Sequence, residues 1–190
     1  MRNRLVCFLI LSTFLISCNS NQSFENKLFK LENLYGYRLD SVETGGTNTK
    51  INGNSIDPPR AIVVHYVIFK KEIGNLNNYL RIRTIDLSKF SEREYFEADL
   101  RHWRREDLYP PIQFSIDDNV RDTIINSNKG YFYSITINHN DQLIRRYRYI
   151  WKSKSNSNMS YDITANILEN NDFNNTKNDY DNILLEMIFK

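Results

Sequence analysis

Cysteine is nearly absent from this chain. The two present, Cys7 and Cys18, both sit in its opening stretch. From Asn19 onward there is no thiol to form a disulfide or a Cys-based metal site, so the domain has to be held by its core alone. Histidine is scarce as well: His65, His102 and His139 are scattered and form no His-Glu-x-x-His pattern. His65 falls within a strand pattern and reads as a core or face residue. His102 has Glu106 at i+4, too small a set for a metal, so neither a metal nor another cofactor is expected. The six glycines build no Gly-x-Ser-x-Gly elbow and no phosphate-binding loop. Asp117-Asp118 reads as a solvated pair near a turn rather than as an acid–base pair. The longest apolar run, Leu5–Ile16, is shorter than the roughly 20 residues a membrane-spanning helix needs. Charge is nearly balanced, 25 Lys and Arg against 23 Asp and Glu, which gives no reason to expect nucleic acid as a partner.

What is present begins at the N-terminus. Met1-Arg2-Asn3-Arg4 is a basic start, Leu5–Ile16 is an apolar stretch, and Leu15-Ile16-Ser17-Cys18 closes it, which is the layout of an export signal. This ending resembles the lipobox of bacterial lipoproteins. The resemblance implies cleavage before Cys18, a diacylglycerol on its sulfur, and a domain tethered to a membrane by lipid rather than spanning it. Residues 1–17 are then a signal peptide, 18–23 the lipidated Cys and a short tether, and 24–190 one globular domain. Cleavage removes Arg2 and Arg4 and no acid, so the mature chain is formally neutral. Asn19 rather than Asp after the Cys resembles the signal for sorting to the outer membrane in a Gram-negative host.

The mature chain alternates between strand and helix patterns. Residues 24–42 fit either a helix with Phe24, Leu28 and Leu31 on one face, or strands. Thr44–Arg60 reads as a long loop, with Gly45-Gly46, Asn52-Gly53 and Asp57-Pro58-Pro59 as turn signals. Ala61–Lys70 reads as a central strand, and Tyr79–Leu87 as its partner, with Leu80, Ile82 and Thr84 alternating against Arg81 and Arg83. Ser91–Glu106 is expected to be a helix: Ser91 and Glu94 form a capping box, Phe90 and Tyr95 a hydrophobic staple, and Phe96, Leu100 and Trp103 a buried stripe. Strands follow at Val120–Ile125, Gly130–Asn138, Leu143–Lys152 and Met159–Leu168, with Asn128-Lys129-Gly130 as a turn. Asp172 is expected to cap a last helix reaching Ile188, with Tyr180, Ile183, Leu184, Met187 and Ile188 on its apolar face. The pattern gives an α+β fold, a mainly antiparallel β-sheet flanked by amphipathic helices.

The second half carries a further resemblance. Gly130-Tyr131-Phe132-Tyr133 opens one strand, Arg145–Trp151 forms a second and Tyr161–Ala165 a third. An Asn171-Asp172-Phe173 turn then leads to a helix finishing in Ile188-Phe189. This order is similar to the tail of the PsbP-like superfamily and implies an α/β/α sandwich with a mostly non-enzymatic role in binding or assembly. That family's last helix usually ends in a Ser-Phe pair packed into the core, where this chain has Ile188-Phe189.

Two basic–aromatic clusters are the candidate ligand or partner surface: Arg101, Arg104 and Arg105 around Trp103, and Arg145, Arg146 and Arg148 around Tyr147. In such a surface Arg forks would grip phosphate or carboxylate. The alternative is structural: helix-terminal charge on the first cluster, and cross-strand pairing with acids on the second. Asp40-Ser41-Val42 and Asp122-Thr123-Ile124 also resemble an O-glycosylation acceptor. The expected protein is a non-catalytic binding or assembly module, held at a membrane by an N-terminal lipid and facing an envelope protein or component. An immunity-type lipoprotein that neutralises a toxin is the alternative, and a hydrolase with a dispersed site a minor one.

Overall fold

The computed structural model describes residues 22–48, 62–73, 76–87, 90–104, 113–139, 142–155 and 158–190. The leader, Cys18, Asn19, Arg105, Glu106, residues 49–60 of the expected loop and Ala61 of the expected central strand lie outside them. In chain order come β1 (Phe24–Glu25), β2 (Phe29–Leu31), β3 (Arg38–Asn48), β4 (Ile62–Ile73), β5 (Leu76–Asp86), α1 (Glu92–Trp103), β6 (Gln113–Ile125), β7 (Asn128–His139), β8 (Gln142–Lys152), β9 (Met159–Leu168), α2 (Phe173–Glu186) and β10 (Ile188–Phe189). A seven-stranded sheet runs in the order β3-β4-β5-β9-β8-β7-β6, and a three-stranded sheet in the order β1-β2-β10. Every pairing is antiparallel. The α+β class holds: a mostly antiparallel sheet with two helices. Neither is long and apolar enough to cross a membrane.

Several expected elements shift. Residues 24–42, open between helix and strand, hold β1, β2 and the start of β3. Tyr35 and Gly36, at φ 47° and 81°, turn the chain between β2 and β3. The first residues of the expected loop, Thr44–Asn48, belong to β3 and pair with β4. The turn expected at Asn128–Gly130 lies at Asn126-Ser127, both in the left-handed region at φ 49° and 61°, as a tight hairpin requires. β6 starts at Gln113, so Asp117 and Asp118 are strand residues; they accept hydrogen bonds from Thr136 Oγ1 and Ser134 Oγ, each at 2.7 Å. The last helix stops at Glu186 because Met187 is extended (φ −66°, ψ 122°). Ile188 therefore sits exposed on β10 rather than on the helix's apolar face.

Alternation along the strands feeds two cores. One gathers Leu80, Ile82, Trp151, Tyr161, Ile163 and Ala165 with Tyr180, Ile183 and Leu184 of α2. The other gathers Ile85, Tyr133, Ile135 and Ile150 with Tyr95, Phe96, Leu100 and Trp103 of α1. β4 contributes to both because a bulge between Val63 and His65 reverses its phase, putting Val63 in the second core and Val67 and Phe69 in the first. That bulge leaves Val64 exposed, so β4 is not covered evenly on both faces as its continuous apolar run suggests. Phe189 packs its ring against Trp151 and Tyr161, with centroids 5.0 and 4.5 Å apart.

Helix α1 has the expected punctuation. Ser91 Oγ accepts from Glu94 N at 3.3 Å, and Ser91 N donates to Glu94 Oε2 at 2.8 Å. At α2, Asp172 occupies the N-cap position, but its carboxylate accepts from the Asn175 and Thr176 side chains instead of from the backbone.

Candidate functional site

The period-2 geometry of three central strands places charge on the sheet face beneath α1. Arg83 of β5 lies opposite Asp162 of β9, and Arg81 opposite Thr164. On the other side of β9, Arg148 of β8 lies opposite Thr164, and Arg146 opposite Asn166. Four guanidiniums thus stand on one sheet face with a single carboxylate among them. Helix α1 brings a second, Asp99, on a stripe that begins with Glu92 and Tyr95 and ends with Trp103. Each residue of that stripe meets a polar group of the sheet. Glu92 Oε1 accepts from Ser160 Oγ at 2.7 Å and Tyr95 Oη accepts from Arg83 Nη2 at 3.1 Å. Asp99 meets Arg148 and Tyr133, and the Trp103 ring lies 4.9 Å from the Arg146 guanidinium carbon.

Arg148 is the hub and is only 2% exposed. Its Nη2 donates to Asp162 Oδ2 at 2.7 Å, and its Nη1 to Asp99 Oδ2 at 2.5 Å and to Tyr133 Oη at 2.8 Å. Tyr133 Oη in turn donates to Asp99, and Arg83 adds an ion pair to Asp162. The Arg148 guanidinium is also boxed by the rings of Phe96, Tyr133 and Tyr95, at 4.9, 5.5 and 5.7 Å.

The electrostatics follow from burial opposed by pairing. Burial alone would raise the Asp162 carboxyl, but Arg148, Arg83 and Arg81 together hold it well below its ordinary value. Burial would likewise raise Asp99, and Arg148 and Tyr133 outweigh it, so it too ends lowered. Burial acts to lower Arg148, and Asp162 and Asp99 overcome this and raise it. Burial raises the Tyr133 phenol far above its usual value. Arg81 goes the other way. Burial, with Arg83, Arg148 and Arg146 as like charges, pushes it down to about 10 despite Asp162. Arg146 is also lowered, first by burial.

Arg81 and Arg146 differ from the hub in their partners. Arg81 Nη2 donates to Thr164 Oγ1 at 3.1 Å, its Nε is buried with no partner, and Arg146 Nε donates to Asn166 Oδ1 at 2.9 Å. Neither makes an ion pair with a carboxylate among the described residues.

The six arginines singled out in the sequence do not share one surface. Arg146 and Arg148 lie on the α1 face, with Arg148 buried. Arg145, one residue out of phase, is on the opposite face, where it pairs with Glu169 at 2.9 Å and lies 5.2 Å from the Phe173 ring. Arg101 and Arg104 are exposed and share a cavity of about 300 Å³ with Glu97, Leu100, Asn119 and Val120. Arg104 Nη2 donates to Asn119 Oδ1 at 3.0 Å. The residues that sequence reasoning passed over are Arg81, Arg83, Asp99 and Asp162. The available signal was two Arg-x-Arg strands and a buried-looking Tyr-Asp-Ile-Thr strand with complementary charge. His65 is partly buried on β4; its Nδ1 has no partner and burial lowers its pKa. Among the described residues no group of three or more His, Cys, Asp or Glu side chains is placed to hold a metal ion. No protein-family model matches the chain, and no curated protein matches it.

Proposed function

We propose that this chain is a cell-envelope lipoprotein, anchored through a lipidated Cys18, whose α+β domain binds a partner without catalysing a reaction. One observation carries the non-catalytic reading. The buried ionisable groups of the α1-face network are driven away from neutrality: Asp99 and Asp162 down, Arg148 and Tyr133 up. A general acid or base works best with a pKa near the working pH. Groups locked in reciprocal ion pairs fasten a helix to a sheet instead. The basic start, apolar stretch and Leu-Ile-Ser-Cys ending support the anchor. For the fold, the finer reading is the PsbP-like α/β/α sandwich. Its support is that α1 and α2 contribute to different cores, fed by alternate residues of the same strands.

Two measurements test this. Metabolic labelling with palmitate is expected to mark the wild-type chain and to vanish in Cys18→Ser; undiminished labelling removes the anchor. Crosslinking in intact envelopes followed by pull-down is expected to capture one envelope protein or component reproducibly. Turnover of a substrate by the purified chain would overturn the non-catalytic reading.

A further inference from the structure

The α1-face network is not electrically balanced. Arg81, Arg83, Arg146 and Arg148 stand against Asp99, Asp162 and, at the start of α1, Glu92. Asp99 and Asp162 are taken up by Arg148 and Arg83, and Glu92 accepts from Ser160. Arg81 and Arg146 are the two guanidiniums of this face that make no ion pair with a carboxylate among the described residues. These two flank β9 from either side: Arg81 opposite Thr164, Arg146 opposite Asn166. By sheet geometry their Cα atoms stand two strands and two residues apart, on the order of 12 Å, a gap that two long side chains on one face can close. Both are partly exposed, as is Asn166 between them. Their forks are oriented by neutral groups. Thr164 Oγ1 holds Arg81, while Asn166 Oδ1 and the Trp103 ring hold Arg146. Because Asn166 spends its oxygen on Arg146, its amide N–H groups are the donors it has left, and they have no acceptor among the described residues.

We propose that Arg81, Arg146 and the Asn166 amide form a binding site for a phosphoryl dianion, a phosphate or phosphomonoester group. A dianion matches the two guanidiniums left without an ion pair, and a tetrahedral group with several acceptor oxygens can take donors from two guanidiniums and an amide at once. Half-buried guanidiniums beside like charges and without a carboxylate of their own are costly when empty, so the ligand relieves a repulsion as well as making new bonds. The negative end of α1 near Trp103 opposes an anion, but a solvent-screened helix end is weaker than two charged forks. This site rests on reading the domain as a binding module and names the chemistry the module takes.

The experiment is thermal unfolding of the full chain with inorganic phosphate, against sodium chloride at matched ionic strength. The wild type is expected to gain melting temperature with phosphate and not with chloride, and a wild-type response no larger than that to chloride overturns the site. Arg81→Gln and Arg146→Gln are expected to weaken phosphate binding at least tenfold. Asn166→Asp guards against simple misfolding: it keeps the acceptor for Arg146 and places a negative charge in the site. It is expected to melt higher than wild type without phosphate and to lose the phosphate response. A retained response in Asn166→Asp also overturns the proposal. Glycerol phosphate and short-chain dihexanoyl phosphatidic acid are compared as further probes. Equal responses assign a soluble ester, and a stronger response to the latter assigns a lipid headgroup. A reproducible crosslinked partner together with no phosphate response would sink this site alone and leave the binding module standing.

Discussion

Arg148 and Asp162, on neighbouring strands β8 and β9, meet through two hydrogen bonds, Nη2 to Oδ2 at 2.7 Å and Nε to Oδ1 at 3.4 Å. Asp162 has no solvent exposure and Arg148 has 2%. A pair this deep gains little net stability over an apolar pair of the same shape, because both charges lose their water. Its consequence is different: neither partner can be removed alone, and whatever else touches them is held in register.

Asp162→Asn therefore tests the network most directly. The substitution keeps shape and removes the charge that compensates Arg148 and Arg83. Breaking a buried pair on one side costs roughly 3–5 kcal/mol. Urea unfolding of the variant is expected to show a loss of that order. A loss within about 0.5 kcal/mol, the range of ordinary surface changes, would mean that water reaches the pair.

The same carboxylates set an acid limit. Asp99 and Asp162 have folded-state pKa values lowered by their Arg partners. The unfolded chain then takes up protons first as pH falls, so the stability they contribute is complete above the unfolded value of about 3.9. It is lost as pH falls below that value toward the folded ones. The urea midpoint is expected to be flat from neutral pH down to about 5 and to drop steeply below about 4. In Asp162→Asn the drop is expected to be shallower. An equal drop in both proteins would assign acid sensitivity to other groups.

What the sequence made legible was local. The capping box of α1 needs only Ser91 and Glu94, three residues apart, and it forms as read. The stripe of Phe96, Leu100 and Trp103 is likewise a property of one helix. The pairing of β2 with β10 joins Phe29 to Phe189, and nothing near Phe29 announces that partner, so residues 24–42 stayed open between helix and strand. Arg81 and Arg83 alternate with apolar neighbours as surface charges would. Only the arrival of Asp162 on β9 and of α1 above it turns their face inward. Gly130 read as the last residue of a turn and the first of a strand, because glycine favours turns; the turn lies upstream at Asn126-Ser127 and Gly130 is inside β7.

That strand role gives a third prediction. A Cβ at Gly130 would run into the Ile150 carbonyl oxygen and would stand 2.8 Å from the Trp151 Cβ. Both atoms belong to β8, and the nearer is backbone, so no rotamer change can make room. Gly130→Ala is expected to lower stability by about 1–3 kcal/mol, the usual range for overpacking. Faster amide exchange along the β7–β8 ladder should accompany it. Unchanged unfolding would mean that β7 and β8 part locally here at no cost.

Trp103 ties the core to the charged face. It is 8% exposed, its ring is 6.0 Å from that of Phe114 in an edge-on arrangement, and the Arg146 guanidinium lies 4.9 Å from its centroid. Trp103→Ala removes core volume, and truncating a buried aromatic costs about 3–5 kcal/mol. Part of that loss belongs to Arg146, because a cation on an indole face contributes about 0.5–2 kcal/mol depending on how dry it is. Crossing Trp103→Ala with Arg146→Ala separates the two terms. If the ring holds the guanidinium, the double variant loses less than the two single losses combined, by about that cation–π energy. If the losses simply add, Trp103 is a core residue alone, and Arg146 is positioned by Asn166.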